Sequence, residues 1–214
     1  MITLYDYFRS SACYRVRIAL NLKNIPYELK QIHLVNNGGE QLKEDYLKVN
    51  PQGLVPALFD SEKNILLTQS LSIIEYLDET HPTPALLPKD PTSRAQVRSL
   101  ALSVACEIHP LNNLRVLKYL TGSMSLSEEN KNAWYHHWIT LGFGAFENSL
   151  QQFNKNSAYC FENSPSLADI VLVPQVFNAL RFNVPLNDFP LIKKVYEHCL
   201  QHPAFIKAAP VEPA

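Results

Sequence analysis

The strand-forming pattern in this chain stops before a proline cluster and does not return after it. Between His81 and Pro91 the sequence carries Pro82, Pro84, Pro88 and Pro91. Each removes a backbone donor and fixes φ, so neither a helix nor a central strand runs through the segment. The break divides the 214 residues into an N-terminal part that mixes strands with helices and a C-terminal part that reads as helix.

Before the break the elements alternate. Ile2–Tyr5 reads as a short strand, and Ser11–Leu22 has helical periodicity with Val16, Ile18, Ala19 and Leu22 on its apolar face. Tyr27–Ile32 reads as a second strand and Gln41–Lys48 as a short helix. Ala57–Phe59 and Ile65–Leu67 are short β segments about a turn at residues 60–64. Leu71, Ile74 and Leu77 then space an amphipathic helix that starts near Gln69. A strand–helix–strand opening requires a parallel pair with a crossover helix.

Beyond the break, Asp90-Pro91 reads as an N-cap with proline at the first helical position, opening a long helix to about Leu120. Ser125-x-x-Glu128 reads as a capping box for a helix reaching Gln152, and Ser166-x-x-Asp169 as another for a helix through Arg181. Pro190 opens a fourth helix ending near His202, and the tail 208–214 is expected to fray. The expected organisation is an α/β domain over residues 1–81, a linker over 82–91 and an all-helical domain over 92–214.

Net charge is −1, so no global field draws the chain to nucleic acid or an anionic membrane. Attraction for an acidic ligand must come from local arginines. Cys13, Cys106, Cys160 and Cys199 form no CxxC or metal-ligand spacing and read as reduced thiols of a cytoplasmic protein. Asp6, Arg9, Arg15 and Arg17 interrupt any N-terminal signal sequence, and no apolar run reaches the ~18 residues of a membrane span.

Three features of the first part suit an anionic thiol peptide. The strand Ile2–Tyr5 leads through Phe8-Arg9 into Ser10-Ser11 at a helix mouth, where backbone N–H groups and a hydroxyl favour a thiolate. Simple helix capping by either serine is the alternative. Val55-Pro56 stands just before a strand; a cis bond there turns the Val55 backbone outward, while an ordinary trans turn is commoner. Gln69-Ser70 opens a helix whose N-terminus suits a carboxylate, or is merely capped.

The run Tyr7-Phe8-Arg9-Ser10-Ser11-Ala12-Cys13-Tyr14-Arg15-Val16-Arg17-Ile18-Ala19-Leu20 closely resembles the serine-rich signature of zeta-class glutathione transferases. The resemblance continues through 50–58, 69–77, 82–88, 108–113 and 168–182. It implies a thioredoxin-like domain joined to an all-α domain, and glutathione as cofactor. Ser10 and Ser11 would lie at the glutathione sulfur, Gln41 against the peptide and Val55 along its backbone. Gln69 and Ser70 would hold the γ-glutamyl end, while His109 and Asn113 would lean over the cleft from the helical domain. The family signature usually reads Ser-Ser-Cys; here Ala12 takes the third place and Cys13 follows, so a serine hydroxyl carries thiol activation and Cys13 reads as packing.

The resemblance further implies glutathione-dependent cis–trans isomerisation of maleylacetoacetate, in aromatic amino-acid catabolism, with maleylpyruvate or broad conjugation as alternatives and a non-catalytic binding protein as a lesser one. A thiolate adds to the conjugated bond, permits rotation and leaves. The substrate is a small dicarboxylate, which calls for guanidinium groups. Arg181 is the implied carboxylate ligand and Arg9 a second, with Arg115 in reserve. Arg15 and Arg17 stand two apart on one helix and cannot both face one ligand, so at least one is structural. Asp169 reads as the capping partner of Ser166 and not as a catalytic acid. The resemblance implies a homodimer, and neither nucleic acid nor membrane is an expected partner.

Overall fold

A computed structural model of the chain describes residues 1–153 and 157–211. It divides into two compact units, the first spanning Met1–Ala85 together with the segment from His202, the second Leu86–Gln201. The first unit begins with β1 (Ile2–Asp6), α1 (Ser11–Leu22) and β2 (Tyr27–Gln31), then two short 3-10 turns at Asn36–Gly38 and Glu40–Leu42. It continues with α2 (Glu44–Leu47), β3 (Ala57–Asp60), β4 (Ile65–Thr68) and α3 (Ser70–Thr80). The second unit holds α4 (Pro91–Glu107), α5 (Leu114–Thr121), α6 (Glu128–Phe153), α7 (Leu167–Arg181) and α8 (Pro190–Cys199). The last helix, α9 (Pro203–Ala208), returns to the first unit.

The sheet order is β2-β1-β3-β4. β1 and β2 are parallel, with Ile2 opposite Tyr27, as the crossover through α1 requires. β3 runs antiparallel to both β1 and β4, with Tyr5 opposite Ala57 and Ala57 opposite Thr68. β2 is an exposed edge whose Glu28 and Lys30 discourage further strand pairing.

α1 is buried along almost its whole length, because α3 and α9 both pack on it. Its polar side chains therefore need partners, and α9 supplies three. Tyr14 Oη donates to Phe205 O at 3.5 Å, Arg17 Nε to Ala208 O at 3.0 Å and Asn21 Nδ2 to Ala204 O at 3.1 Å. The carbonyls of Phe205 and Ala208 are among the last four of α9, which the helix cannot satisfy within itself. Ala208, expected to begin a frayed tail, is instead buried; residues 212–214 of that tail lie outside the described residues. Lys23 Nζ holds the exit from this unit, bonding Asp78 Oδ1 at 2.5 Å and the carbonyls of His81 and Pro84 at 2.6 Å each.

In the second unit Asp90 caps α4 through Ser93 N at 2.8 Å, with Pro91 at the first helical position as predicted. The long helix expected to reach Leu120 is broken. α4 stops at Glu107, before Pro110, which has no N–H to continue the ladder, and Asn113 then caps α5. The cap of α6 is Ser127, whose Oγ accepts from Asn130 N at 3.2 Å, and not Ser125, which sits at φ 53° with its hydroxyl on Gly122 O. α8 ends at Cys199; Pro203 opens α9 with His202 Nδ1 accepting from Ala204 N. α7 is the buried centre of the unit, and Asp169 closes its capping box as expected. Buried Glu147 of α6 accepts from Leu191 N and Ile192 N, capping α8 from outside.

Candidate active site

The turn from β1 to α1 is anchored from below. Arg17, itself buried, bonds Asp6 Oδ1 at 2.5 Å and Phe8 O at 3.0 Å, so the loop carrying Arg9 and Ser10 is pinned to the sheet. Ser10 N donates to Tyr7 O at 2.9 Å, closing the turn. Ser10 is the N-cap of α1, and its Oγ accepts from Cys13 N at 3.2 Å. The capping role expected as the alternative is therefore real, but it uses only a lone pair. The Ser10 hydroxyl also faces the Cys13 thiol, and the first turn of α1 contains no acid. Ser10 is half-buried and Ser11 buried, which separates the two serines that the sequence left equal.

Cys13 lies in an apolar cluster with Tyr7, Phe8, Ile32, Tyr46 and Val55. Burial pushes its thiol far above the ordinary range and Asp6 adds to this, against weaker opposing effects of Ser10 and Arg17. A thiol so shifted is a packing group and not a nucleophile.

The remaining first-unit residues meet around the starts of α1 and α3. Arg15 Nη1 donates to Ser70 Oγ at 3.3 Å, so both helix-1 arginines are structural. Gln69 precedes α3 at φ 68° with no side-chain cap bond, and its Nε2 donates to Gln52 Oε1 at 2.8 Å. Gln52 was not singled out from sequence; its place in the Pro51-Gln52-Gly53 turn was the available signal. The N-terminus of α3 carries no acid in its first turn and stays open to an anion. The Val55-Pro56 bond is cis, and Leu54 O accepts from Tyr46 Oη and Asn50 Nδ2, each at 2.7 Å. Gln41 is buried; its Nε2 donates to Leu34 O at 3.4 Å while its Oε1 has no partner. Gly39, at φ 102°, permits this: a Cβ there would lie 2.6 Å from both polar atoms of the Gln41 carboxamide. Arg9 donates through Nε and Nη2 to Tyr7 Oη at 3.2 and 2.8 Å, with its guanidinium 4.9 Å from the Phe8 ring centre.

In the second unit, His109 is half-buried in the break after α4, its N–H on Val104 O at 2.9 Å. Asn113 Oδ1 accepts from Arg115 N at 3.0 Å, so its carbonyl serves as a cap. Arg115 is exposed on α5. Arg181 is exposed at the last position of α7, its guanidinium 5.1 Å from the Phe182 ring centre. Among the described residues no carboxylate pairs with Arg9 or Arg181.

Among the described residues no group of three His, Cys, Asp or Glu side chains could hold a metal, and no helix is long and apolar enough to cross a membrane. The family model described as "Glutathione S-transferase, N-terminal domain" matches residues 4–85, and "Glutathione S-transferase, C-terminal domain" matches residues 140–203. The chain is 47% identical over 209 residues to a probable maleylacetoacetate isomerase of Vibrio cholerae, covering 98% of this chain and 95% of that one. It is similar to the holo structure of a maleyl pyruvate isomerase, a bacterial zeta-class glutathione transferase, at TM-score 0.93 and 47% identity, covering 97% and 96% of the two chains. It is also similar to a maleylacetoacetate isomerase from Methylobacterium extorquens with bound malonate and glutathione, at TM-score 0.93 and 38% identity, covering 99% and 98%.

Proposed function

Because the chain belongs to the glutathione S-transferase family, in its zeta class, we propose that it is a glutathione-dependent isomerase converting maleylacetoacetate to fumarylacetoacetate. The observation that carries this reading is the start of α1, where half-buried Ser10 is the N-cap and no acid stands in the first turn to compete with an anionic sulfur. The peptide fits what surrounds it. Gln41 Oε1, buried without a partner, accepts an N–H; the Val55 backbone offers main-chain pairing; the open start of α3 with Gln69 and Ser70 takes a carboxylate.

Bound there, glutathione supplies a thiolate that adds reversibly to the conjugated double bond and is returned unchanged. The Ser10 hydroxyl and the α1 N-terminus favour the anionic sulfur, lowering the cost of its ionisation. Ser11 is buried at the first position of α1. Arg181 and Arg9, without carboxylate partners of their own, receive the substrate carboxylates and stabilise the negative charge that develops beside them. The malonate in the Methylobacterium relative supports a small dicarboxylate as substrate. His109 and the Nδ2 of Asn113 are further candidates for glutathione contact.

Maleylpyruvate is the second reading, favoured by the likeness to the zeta-class maleyl pyruvate isomerase. We read the protein as a cytoplasmic homodimer: its four cysteines are free thiols, and the glutathione transferase resemblance implies a second copy. The deciding assay follows the loss of maleylacetoacetate absorbance with catalytic glutathione while total free thiol is counted. Turnover with thiol constant is the expected result. Stoichiometric thiol loss means conjugation instead, and faster turnover of maleylpyruvate transfers the assignment to the second reading.

A further inference from the structure

Arg181 is held in place more firmly than an exposed helix-end cation requires. α7 ends in a Schellman motif: Asn183 stands at φ 58°, its N–H on Leu180 O at 3.0 Å, and Val184 N donates to Ala179 O at 2.9 Å. That fixes the backbone of Arg181. The next residue is then gripped from α6. The Tyr135 ring stacks on Phe182 with centroids 3.8 Å apart and planes inclined by 21°, and His136 Nε2 lies 2.6 Å from Phe182 O. A carbonyl only accepts, so His136 carries its proton on Nε2. Phe182 thus has both its ring and its carbonyl clamped, and its ring is the surface over which the Arg181 guanidinium lies.

The same stretch of α6 holds the break after α4. Trp134 Nε1 donates to Leu111 O at 2.9 Å, and Tyr135 O accepts from Asn112 Nδ2 at 3.4 Å. Residues 134–136 therefore fasten two segments that surround the second unit's candidate residues. A helix-end arginine that only answered the macrodipole would need none of this. A guanidinium stacked on a fixed ring keeps its edge N–H groups free for a carboxylate and loses less freedom on binding one.

We infer that Phe182, clamped by Tyr135 and His136, is a positioning platform that presents the Arg181 guanidinium to a carboxylate of the substrate. The inference rests on the reading of Arg181 as a carboxylate ligand. It predicts that removing the Phe182 ring weakens dicarboxylate binding about two- to fivefold, the range expected for an exposed cation–π contact, without touching glutathione affinity.

The test uses the full chain loaded with glutathione. Malonate affinity is measured by calorimetry and maleylacetoacetate KM and kcat by absorbance, for Phe182→Leu, Phe182→Tyr, His136→Ala and Arg181→Ala. Expected are weaker malonate binding and lower kcat/KM in Phe182→Leu and His136→Ala, with the glutathione Kd unchanged, and recovery in Phe182→Tyr, which restores the ring. The His136 variant keeps the test alive if Phe182→Leu does not fold. Unchanged malonate affinity in Phe182→Leu and His136→Ala, beside a clear loss in Arg181→Ala, overturns the platform and leaves the Arg181 reading standing. No loss in Arg181→Ala overturns that reading, and the platform with it. Glutathione affinity falling in step with malonate affinity marks general loosening and also overturns the platform.

Discussion

Each unit contains a helix that starts on a serine and runs through the interior, but the two starts are completed in opposite ways. Before α7, Ser166 is followed three residues later by Asp169, which accepts from Ser166 N at 2.8 Å, Ser166 Oγ at 2.7 Å and Cys160 N at 2.7 Å. The serine proton is consumed and the box is sealed. Before α1, the residue three places after Ser10 is Cys13, which offers a thiol in place of a carboxylate. Similar local chemistry gives a box sealed by a carboxylate in one unit and a start without an acid in the other. The decisive difference is the acid three places after the serine, present before α7 and absent before α1.

The largest effect should come from breaking the sealed start. Asp169→Ala leaves the buried N–H groups of Ser166 and Cys160 without acceptors, at about 1–3 kcal/mol for each unsatisfied group. A thermal midpoint lower by roughly 10 °C is expected for a chain of this size. A midpoint within a degree of the parent would mean that the sealed start does not hold α7. Ser10→Ala should reverse the pattern. It should cost about 1 kcal/mol of stability as a lost cap and about 100-fold in kcat as a lost donor to developing charge. The measurement is paired melting and steady-state kinetics, with Ser11→Ala alongside. A large kcat loss in Ser11→Ala and none in Ser10→Ala would move thiol activation to the buried serine and undo the contrast.

What was legible in the sequence follows the same division between local and distant chemistry. The strand starts, the start of α1, the Asp90-Pro91 cap and the Ser166 box are written in residues a few places apart, and each stands in the structure as read, while every strand ends one residue away from its expected end. Pro110 was a visible breaker inside an otherwise helical pattern, and it prevailed over the periodicity around it. The two serines before α6 could not be ranked locally, because the left-handed turn at Ser125 depends on its bond to Gly122. The return of α9 was beyond any local pattern, since Arg17 and Ala208 meet across 191 positions.

The site divides similarly. Ser10, Val55, Gln69 and Ser70 could be picked out by motif, but burial decided which serine is accessible and that Cys13 is inert. The orphaned carbonyl of Gln41 depends on the backbone at Gly39, and the clamp on Phe182 joins residues 46 positions apart through His136. No motif spans either arrangement.

The smallest expected effect sharpens the contrast through pH. Asp60, in the first unit, is held below the usual carboxylate range chiefly by the hydrogen bond from Tyr76 Oη at 2.7 Å, with backbone N–H groups of Glu62 and Lys63 helping against burial. Its contribution is complete above the unfolded pKa of about 3.9 and is lost as pH falls through the lower folded value. Asp169, in the second unit, is pushed the other way by burial, which outweighs its backbone hydrogen bonds. The stability linked to its proton is complete below the unfolded pKa and is lost as pH rises through the raised folded value. Acid therefore weakens Asp60's hold on the first unit while easing the penalty on Asp169 in the second. Both tryptophans, Trp134 and Trp138, belong to the second unit, so their fluorescence reports it alone. On acid titration the far-ultraviolet circular dichroism should change before tryptophan fluorescence, and Asp60→Asn should shorten that lag by removing the titrating group. Coincident transitions in the parent protein would show the two units unfolding as one, and the difference between their starts would then belong to chemistry and not to stability.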